Sequence, residues 1–126
     1  MKSPEPPPNP APLIDFDQLN SACDGDAGLM RELMKMYFGQ ADQIMAGLRQ
    51  AIHDGVVDEV DHLAHKLAGS SLACGLSAIV PSLRHMEFGA KAGHLNGAET
   101  AIAEAATALE LLRSAVQDHL RQLQSP

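Results

Sequence analysis

His65 lies at the centre of the stretch DHLAHKLAGSSLACG, residues 61–75, and is the residue of this chain best placed to do chemistry. An imidazole with an unperturbed pKa of about 6.5 is largely neutral at cellular pH and can act as a nucleophile. On a helix, the arc that carries His65 also carries Ala68, Gly69 and Leu72. Exposed helix positions usually hold longer polar residues, and a glycine there costs about 1 kcal/mol relative to alanine. This bare patch therefore indicates close approach by a partner.

The opposite arc of the same region predicts the helix that presents His65. Apolar and small residues recur there at spacings of three and four, the period of an α-helix with one buried face. His65 then points away from the core. The residues predicted to face inward are Val56, Val60, Leu63, Ala64, Leu67, Ser71 and Cys74.

A metal site is the alternative chemistry that these spacings suggest. Glu59 and His62 form a Glu-x-x-His pair, which is part of the ligand set of di-iron helical bundles. Such a site needs a second pair of this kind, with all ligands facing inward. No other histidine has a glutamate three residues before it, so we expect no metal site. The remaining histidines lack a collar of small residues and are interpreted as ordinary polar residues: His53, His85, His94 and His119.

Composition limits the fold and the partners. The chain has 126 residues, enough for one domain, and aromatic residues make up only 3%, with no Trp. A core built from Leu, Ile, Val, Met and Ala favours helices. The formal net charge is −7, and no run of Lys or Arg could follow a phosphate backbone. Nucleic acid is therefore not expected as a partner.

Cysteine use and hydropathy indicate the compartment. Cys23 and Cys74 are far apart in the sequence and form no CxxC motif, so we expect both to be reduced. The N-terminus has no apolar signal-peptide core, and no stretch approaches 18 uninterrupted apolar residues. The sequence predicts a cytoplasmic protein with no membrane partner.

The N-terminal region divides into an arm and a short helix. Residues 1–12 hold six of the eight prolines, which predicts a flexible, extended arm. Asp15 followed by Gln18 resembles a capping box, with Ile14 before it as a hydrophobic staple. A short helix is therefore predicted from about Phe16 to Ala22.

Helical periodicity continues through the rest of the chain. It predicts long helices over about 27–52, from the HDG segment to near Gly75, over 77–92 with Pro81 in the first turn, and from Asn96 to the end. Four long helices joined by short loops pack as antiparallel neighbours. The predicted fold is all-α, an antiparallel up-and-down four-helix bundle over residues 13–124 whose end is closed by the short first helix.

Residues 64–75, AHKLAGSSLACG, resemble the signature of histidine-containing phosphotransfer (HPt) domains of two-component phosphorelays. In that signature a leucine and a Gly-Ser pair follow a phosphorylated histidine, here Leu67, Gly69 and Ser70 after His65. The resemblance extends from Ile14 through LMRELMKMYFGQA and MEFGAKAG to about residue 123. Because the motif falls on the second long helix of a predicted bundle, the chain is identified as a member of this family.

The resemblance implies that His65 accepts a phosphoryl group from an aspartyl phosphate of one response-regulator receiver domain and passes it to another. The chain would need no cofactor of its own, because Mg²⁺ and the aspartate belong to the receiver and the sequence contains no P-loop. Lys66 and Gly69 would lie next to the phosphoryl group. The residues expected to dock the partner are Asp61, His62, Ala68, Leu72, Leu29, Met30 and Met34.

One position departs from the family pattern. Many members carry a lysine three residues after the histidine, where this sequence has Ala68. Lys66 lies about 100° round the helix from His65 and is the nearest candidate to replace that charge.

Two classes of function follow from these observations. The first is a monomeric phosphoryl carrier that has no ATP-binding kinase site and serves receiver domains, with a hybrid sensor histidine kinase as a further candidate partner. The second is a helical docking module that binds a receiver or another partner without phosphotransfer. The intact His65 favours the carrier.

Overall fold

The computed structural model describes residues 13–124. The predicted Pro-rich arm, residues 1–12, lies outside this range. The described part is helical, and it contains no strand. The helices are α1 (Phe16–Ala22), α2 (Ala27–Asp54), α3 (Val57–Ala73), α4 (Val80–Lys91) and α5 (Ala98–Gln124), with a 3₁₀ turn at Ser77–Ile79 before α4.

Local signals set the helix ends. The Asp15 carboxylate accepts a hydrogen bond from the Gln18 amide at 3.1 Å, which caps α1 as predicted. Gly55 takes the left-handed conformation (φ 70°) that ends α2, and Pro81 lies in the first turn of α4. The start of α5 differs from the prediction, because Gly97 and not Asn96 provides the carbonyl that accepts the first helical hydrogen bond, from Ala101.

The four long helices form the predicted bundle. Helix α3 packs between α2 and α4, while α5 packs against α2 and α4 and lies diagonally across from α3. Leu48, Val60, Leu67, Leu83 and Leu112 are completely buried between them. None of the helices within residues 13–124 is both long enough and apolar enough to cross a membrane.

Helix α1 closes one end of the bundle against α2 and the end of α3. The Asp15 amide donates to the Gly75 carbonyl at 2.7 Å, and the Gln18 side chain donates to the Ala73 carbonyl at 3.0 Å. Gly75 has a left-handed backbone (φ 75°), and a Cβ there would collide with the Asp15 carbonyl. Glycine at this position therefore permits the contact that fixes the end of α3.

A polar bond inside the core fixes α3 against α2. The Ser71 hydroxyl donates to the Leu67 carbonyl at 2.7 Å and lies 2.7 Å from the Tyr37 hydroxyl. Because the Ser71 proton is used, Tyr37 is the donor in the second bond. Ser71 is buried as predicted, whereas Val56, also predicted to face inward, is 47% exposed because it precedes the helix as its cap residue.

Candidate functional site

His65 projects from the middle of α3 toward solvent, as its position on the helix predicts. Its side chain is 67% exposed. The ring nevertheless has a fixed partner, because Nδ1 lies 2.7 Å from Oε2 of Glu87 on the neighbouring helix α4. One ring nitrogen is therefore held by the protein, while the other is left for chemistry.

Glu87 is the one charged residue that is buried among residues 13–124, with a side chain only 3% exposed. Arg84 Nη1 donates to its second oxygen, Oε1, at 2.6 Å, and Lys91 Nζ lies 3.5 Å from Oε2. Burial by itself raises the pKa of Glu87, but the hydrogen bonds from Arg84 and His65 and their charges outweigh it and lower the pKa below its usual value. Glu87 is therefore a carboxylate at neutral pH.

The ionised carboxylate determines the tautomer of the histidine. A carboxylate has no proton and can only accept hydrogen bonds, so Nδ1 of His65 must be the ring nitrogen that carries hydrogen. In the neutral ring, the lone pair then lies on Nε2. Two helices thus present a nucleophilic nitrogen with a defined orientation.

A second cross-helix contact lies one turn away along α3. Lys91 Nζ is 2.9 Å from an oxygen of Asp61, and this hydrogen bond is the main cause of the raised pKa of Lys91. Asp61, predicted to dock a partner, is thus engaged in an ion pair within the bundle. The contacts Asp61–Lys91 and His65–Glu87 show that α3 and α4 are antiparallel. A step of four residues forward along α3 matches a step of four residues back along α4.

Several predicted site residues lie on the surface around His65. Gly69, one turn further along α3, is exposed, and a Cβ built on it would meet nothing within 4 Å. His62 and Lys66 are also exposed, and neither forms an ion pair within residues 13–124. Leu72 is 46% exposed and lies about 10 Å along the helix axis from His65, on the same side.

Three residues predicted to dock a partner are buried, and that prediction was wrong. Ala68 is 0% exposed, because α3 packs against α4 as well as α2 and its buried arc is wider than a single stripe. Met30 and Met34 are 1% and 2% exposed and belong to the core. The other two apolar residues predicted to dock a partner are exposed: Leu29 by 54% and Leu72 by 46%.

Sequence reasoning missed Glu87, which is hydrogen-bonded to the imidazole, and Arg84 and Lys91, which contact Glu87. A signal for Glu87 was available, because the apolar arc of α4 carries this one carboxylate between Leu83 and Ala90. Met36, which is 70% exposed, was not among the residues predicted to dock a partner.

An open apolar groove of about 660 Å³ lies between α2 and α3. Met36 lines one side, and Ser70 and Ala73 line the other. The two helices are antiparallel, because Tyr37 contacts Ser71 while Gly47, further along α2, lies beside Leu63, earlier on α3. The start of α2 therefore lies beside the end of α3. The groove, Leu29 and Leu72 therefore lie at the same end of the α2–α3 pair, beyond Gly69 from His65.

Comparisons with solved structures agree with this architecture. Histidine-containing phosphotransfer protein B from Pseudomonas aeruginosa PAO1 superimposes with a TM-score of 0.82 at 19% identity, covering 90% of this chain and 98% of that one. A rice protein assigned as a histidine-containing phosphotransfer protein gives 0.76 at 25% identity, with coverage of 90% and 85%. The HPT domain of a sensor hybrid histidine kinase from Shewanella gives 0.71 at 22% identity, with coverage of 90% and 97%.

The sequence itself assigns the family. A sequence model of the Hpt domain matches residues 32–125, so the chain belongs to the Hpt domain family. Its function is that of a phosphotransfer protein in a phosphorelay, and the family consists of phosphoryl carriers, not kinases. A comparison with curated proteins found no match.

Proposed function

We propose that Nε2 of His65 is the atom that carries the phosphoryl group, taking it from an aspartyl phosphate of one receiver domain and passing it to an aspartate of another. The observation that supports this most directly is the 2.7 Å bond between Nδ1 and Glu87. It places the proton on Nδ1 and leaves an exposed lone pair on Nε2.

The transfer step can be written with these atoms. The Nε2 lone pair forms a bond to phosphorus while the phosphorus–oxygen bond to the donor aspartate breaks, and its electron pair leaves on the aspartate oxygen. The ring gains positive charge as the new bond forms. The Glu87 carboxylate, bonded to the Nδ1 hydrogen, stabilises that charge as it develops. The same contacts, in reverse order, release the phosphoryl group to the next aspartate.

The receiver would supply what this chain does not. We expect the receiver to hold the acceptor aspartate and the Mg²⁺ that neutralises phosphoryl oxygens. This chain would contribute the nucleophile and the docking surface, without a cofactor of its own. A hybrid sensor kinase is a further candidate source of the phosphoryl group, through its receiver domain.

The surface that we assign to the receiver runs from His65 past Gly69 to the α2–α3 groove. The exposed apolar residues Leu29, Met36 and Leu72 lie at the groove end of this surface. They would supply contact area, while the bare position at Gly69 would let the receiver come close to Nε2. We further propose that the protein acts as a monomer in the cytoplasm, where its buried cysteines, Cys23 and Cys74, would stay reduced.

The direct test is label transfer from a panel of phosphorylated receiver domains of the same genome. The wild-type protein should become labelled in an acid-labile, alkali-stable linkage, as expected for a phosphoramidate. His65→Gln should abolish labelling. His62→Gln is the matched control, because His62 is exposed on the same helix and is not the acceptor. Its labelling should persist, even if the loss of a docking contact slows it. ATP alone should give no label.

A pure docking module is the second candidate, favoured by the exposed apolar residues beside the groove. This function predicts tight binding to one receiver with no label from any of them. Label that persists in the His65→Gln protein would refute the assignment of the acceptor.

A further inference from the structure

The contacts of Glu87 are unequal, and the strongest of them is with Arg84. Arg84 donates to Oε1 at 2.6 Å from three residues earlier on the same helix. Lys91 is further away, at 3.5 Å from Oε2, and is shared with Asp61 at 2.9 Å. Arg84 is therefore the main fixed charge that opposes the cost of burying the carboxylate.

The register of the two helices places Arg84 about one turn along α3 from His65. Because Asp61 pairs with Lys91 and His65 with Glu87, three further residues along α3 bring Ala68 opposite Arg84. Ala68 is completely buried, and the Arg84 guanidinium reaches Glu87 along α4, three residues further on. The Arg84 side chain is 31% exposed, so it is largely withdrawn from solvent.

We propose that Arg84 is a positioning residue for the transfer reaction: it holds Glu87 as an oriented carboxylate and so fixes the tautomer that makes Nε2 of His65 the nucleophile. This inference rests on the proposed function of His65. Arg84 acts through Glu87, by a hydrogen bond on the far side of the carboxylate from the ring.

The chemistry of a buried carboxylate explains why removal of Arg84 should matter. Without the guanidinium, burial favours the protonated form of Glu87, with only His65 and the shared Lys91 left to oppose it. A protonated carboxyl group can donate its hydrogen to Nδ1. The ring hydrogen then moves to Nε2, and the lone pair needed for attack on phosphorus is lost.

The kinetic test uses phosphoramidate, a small phosphodonor that needs no docking surface. Arg84→Gln should slow labelling of His65 about 10-fold, within the range typical of groups that orient a histidine through a hydrogen bond. Arg113→Gln is the matched control, because Arg113 is an ion-paired arginine of similar exposure, 28%, on the distant helix α5. It should leave the rate unchanged. Equal rates for wild type and Arg84→Gln would overturn the proposal.

A double-mutant cycle separates action through Glu87 from direct contact with phosphate. The Gln side chain of Glu87→Gln has one acceptor oxygen, and Arg84 and the ring Nδ1–H would compete for it. Because Arg84 attracts this oxygen, it no longer helps to orient the imidazole. Removing Arg84 from Glu87→Gln should therefore cause no further slowing. If Arg84→Gln slows both backgrounds by the same factor, Arg84 acts on the phosphoryl group itself and the proposal is wrong.

Nitrogen chemical shifts of the imidazole report the tautomer without any phosphodonor. In wild type and Arg113→Gln, the His65 ring should carry hydrogen on Nδ1, and in Arg84→Gln a substantial fraction should carry it on Nε2. An unchanged tautomer in folded Arg84→Gln would refute the inference. If wild type takes no label from phosphoramidate or from any receiver, the proposed function fails, and the tautomer measurement still decides the role of Arg84.

Discussion

Gly69 allows stability and transfer to be changed in opposite directions by one substitution. It lies within α3 with no positive φ, and a Cβ there meets nothing within 4 Å. Gly69→Ala therefore adds no clash and removes the flexibility of glycine, which should stabilise the protein by about 1 kcal/mol. For a chain of this size, the melting temperature should rise by about 3 to 6 °C.

A longer side chain at the same position should leave the fold intact and impair transfer. Gly69 lies one turn from His65, and residues at this spacing have Cβ atoms about 5 to 6 Å apart. In Gly69→Arg the side chain fills the space through which, in the proposed function, a receiver approaches Nε2. Displacing it or shifting the receiver should cost on the order of 1 to 3 kcal/mol, or about 5- to 150-fold in transfer efficiency.

The assay is receiver-dependent labelling measured together with thermal unfolding. Ser114→Arg is the control for added bulk and charge, because Ser114 is exposed on α5, diagonally across the bundle from α3. It should transfer normally. Wild-type transfer by Gly69→Arg would refute the idea that the bare surface exists for close approach, and a large loss of stability in Gly69→Ala would contradict the open space around this residue.

Three other predictions concern charge, packing and the buried hydrogen bond. Lys66→Ala should slow acceptance or speed loss of phosphate only modestly, since an exposed ion pair contributes about 1 kcal/mol or less. A large effect on both rates would mean that Lys66 is the main charge that stabilises the phosphoryl group. Leu67→Ala should cost about 2 to 5 kcal/mol in chemical denaturation because Leu67 is fully buried, whereas the partly exposed Leu63 should cost less. Burial raises the pKa of Tyr37 to about 12, so the neutral phenol is favoured in the folded state; the stability that this provides should be present below pH 10 and be lost between pH 10 and 12, and Tyr37→Phe should lack that loss.

The helices could be predicted from the sequence because their signals are local. Asp15 caps α1, Gly55 ends α2, and Pro81 lies in the first turn of α4, each within a few residues of the feature that it controls. The position of His65 on the outer side of α3 follows from the spacing of Val60 and Leu67, which are buried.

The partners of His65 could not be predicted in the same way. Glu87 lies 22 residues away, and its distance from the ring depends on the register between α3 and α4, which no local pattern specifies. The error at Ala68 has a related cause, because a single apolar stripe does not show that a helix has neighbours on two sides. Met30 and Met34 were assigned to a partner because the start of α2 is apolar on most sides, but the bundle itself covers them.

The division of the site between two helices also ties its chemistry to chain synthesis. During translation α3 leaves the ribosome before α4, so for a time the chain would contain His65 without the carboxylate that orients it. A peptide of α3 alone would have the same defect, since neither nitrogen of its ring would have a fixed partner. Full competence to carry phosphate would thus arise when α4 docks, and incomplete chains would draw phosphate out of a signalling pathway more slowly.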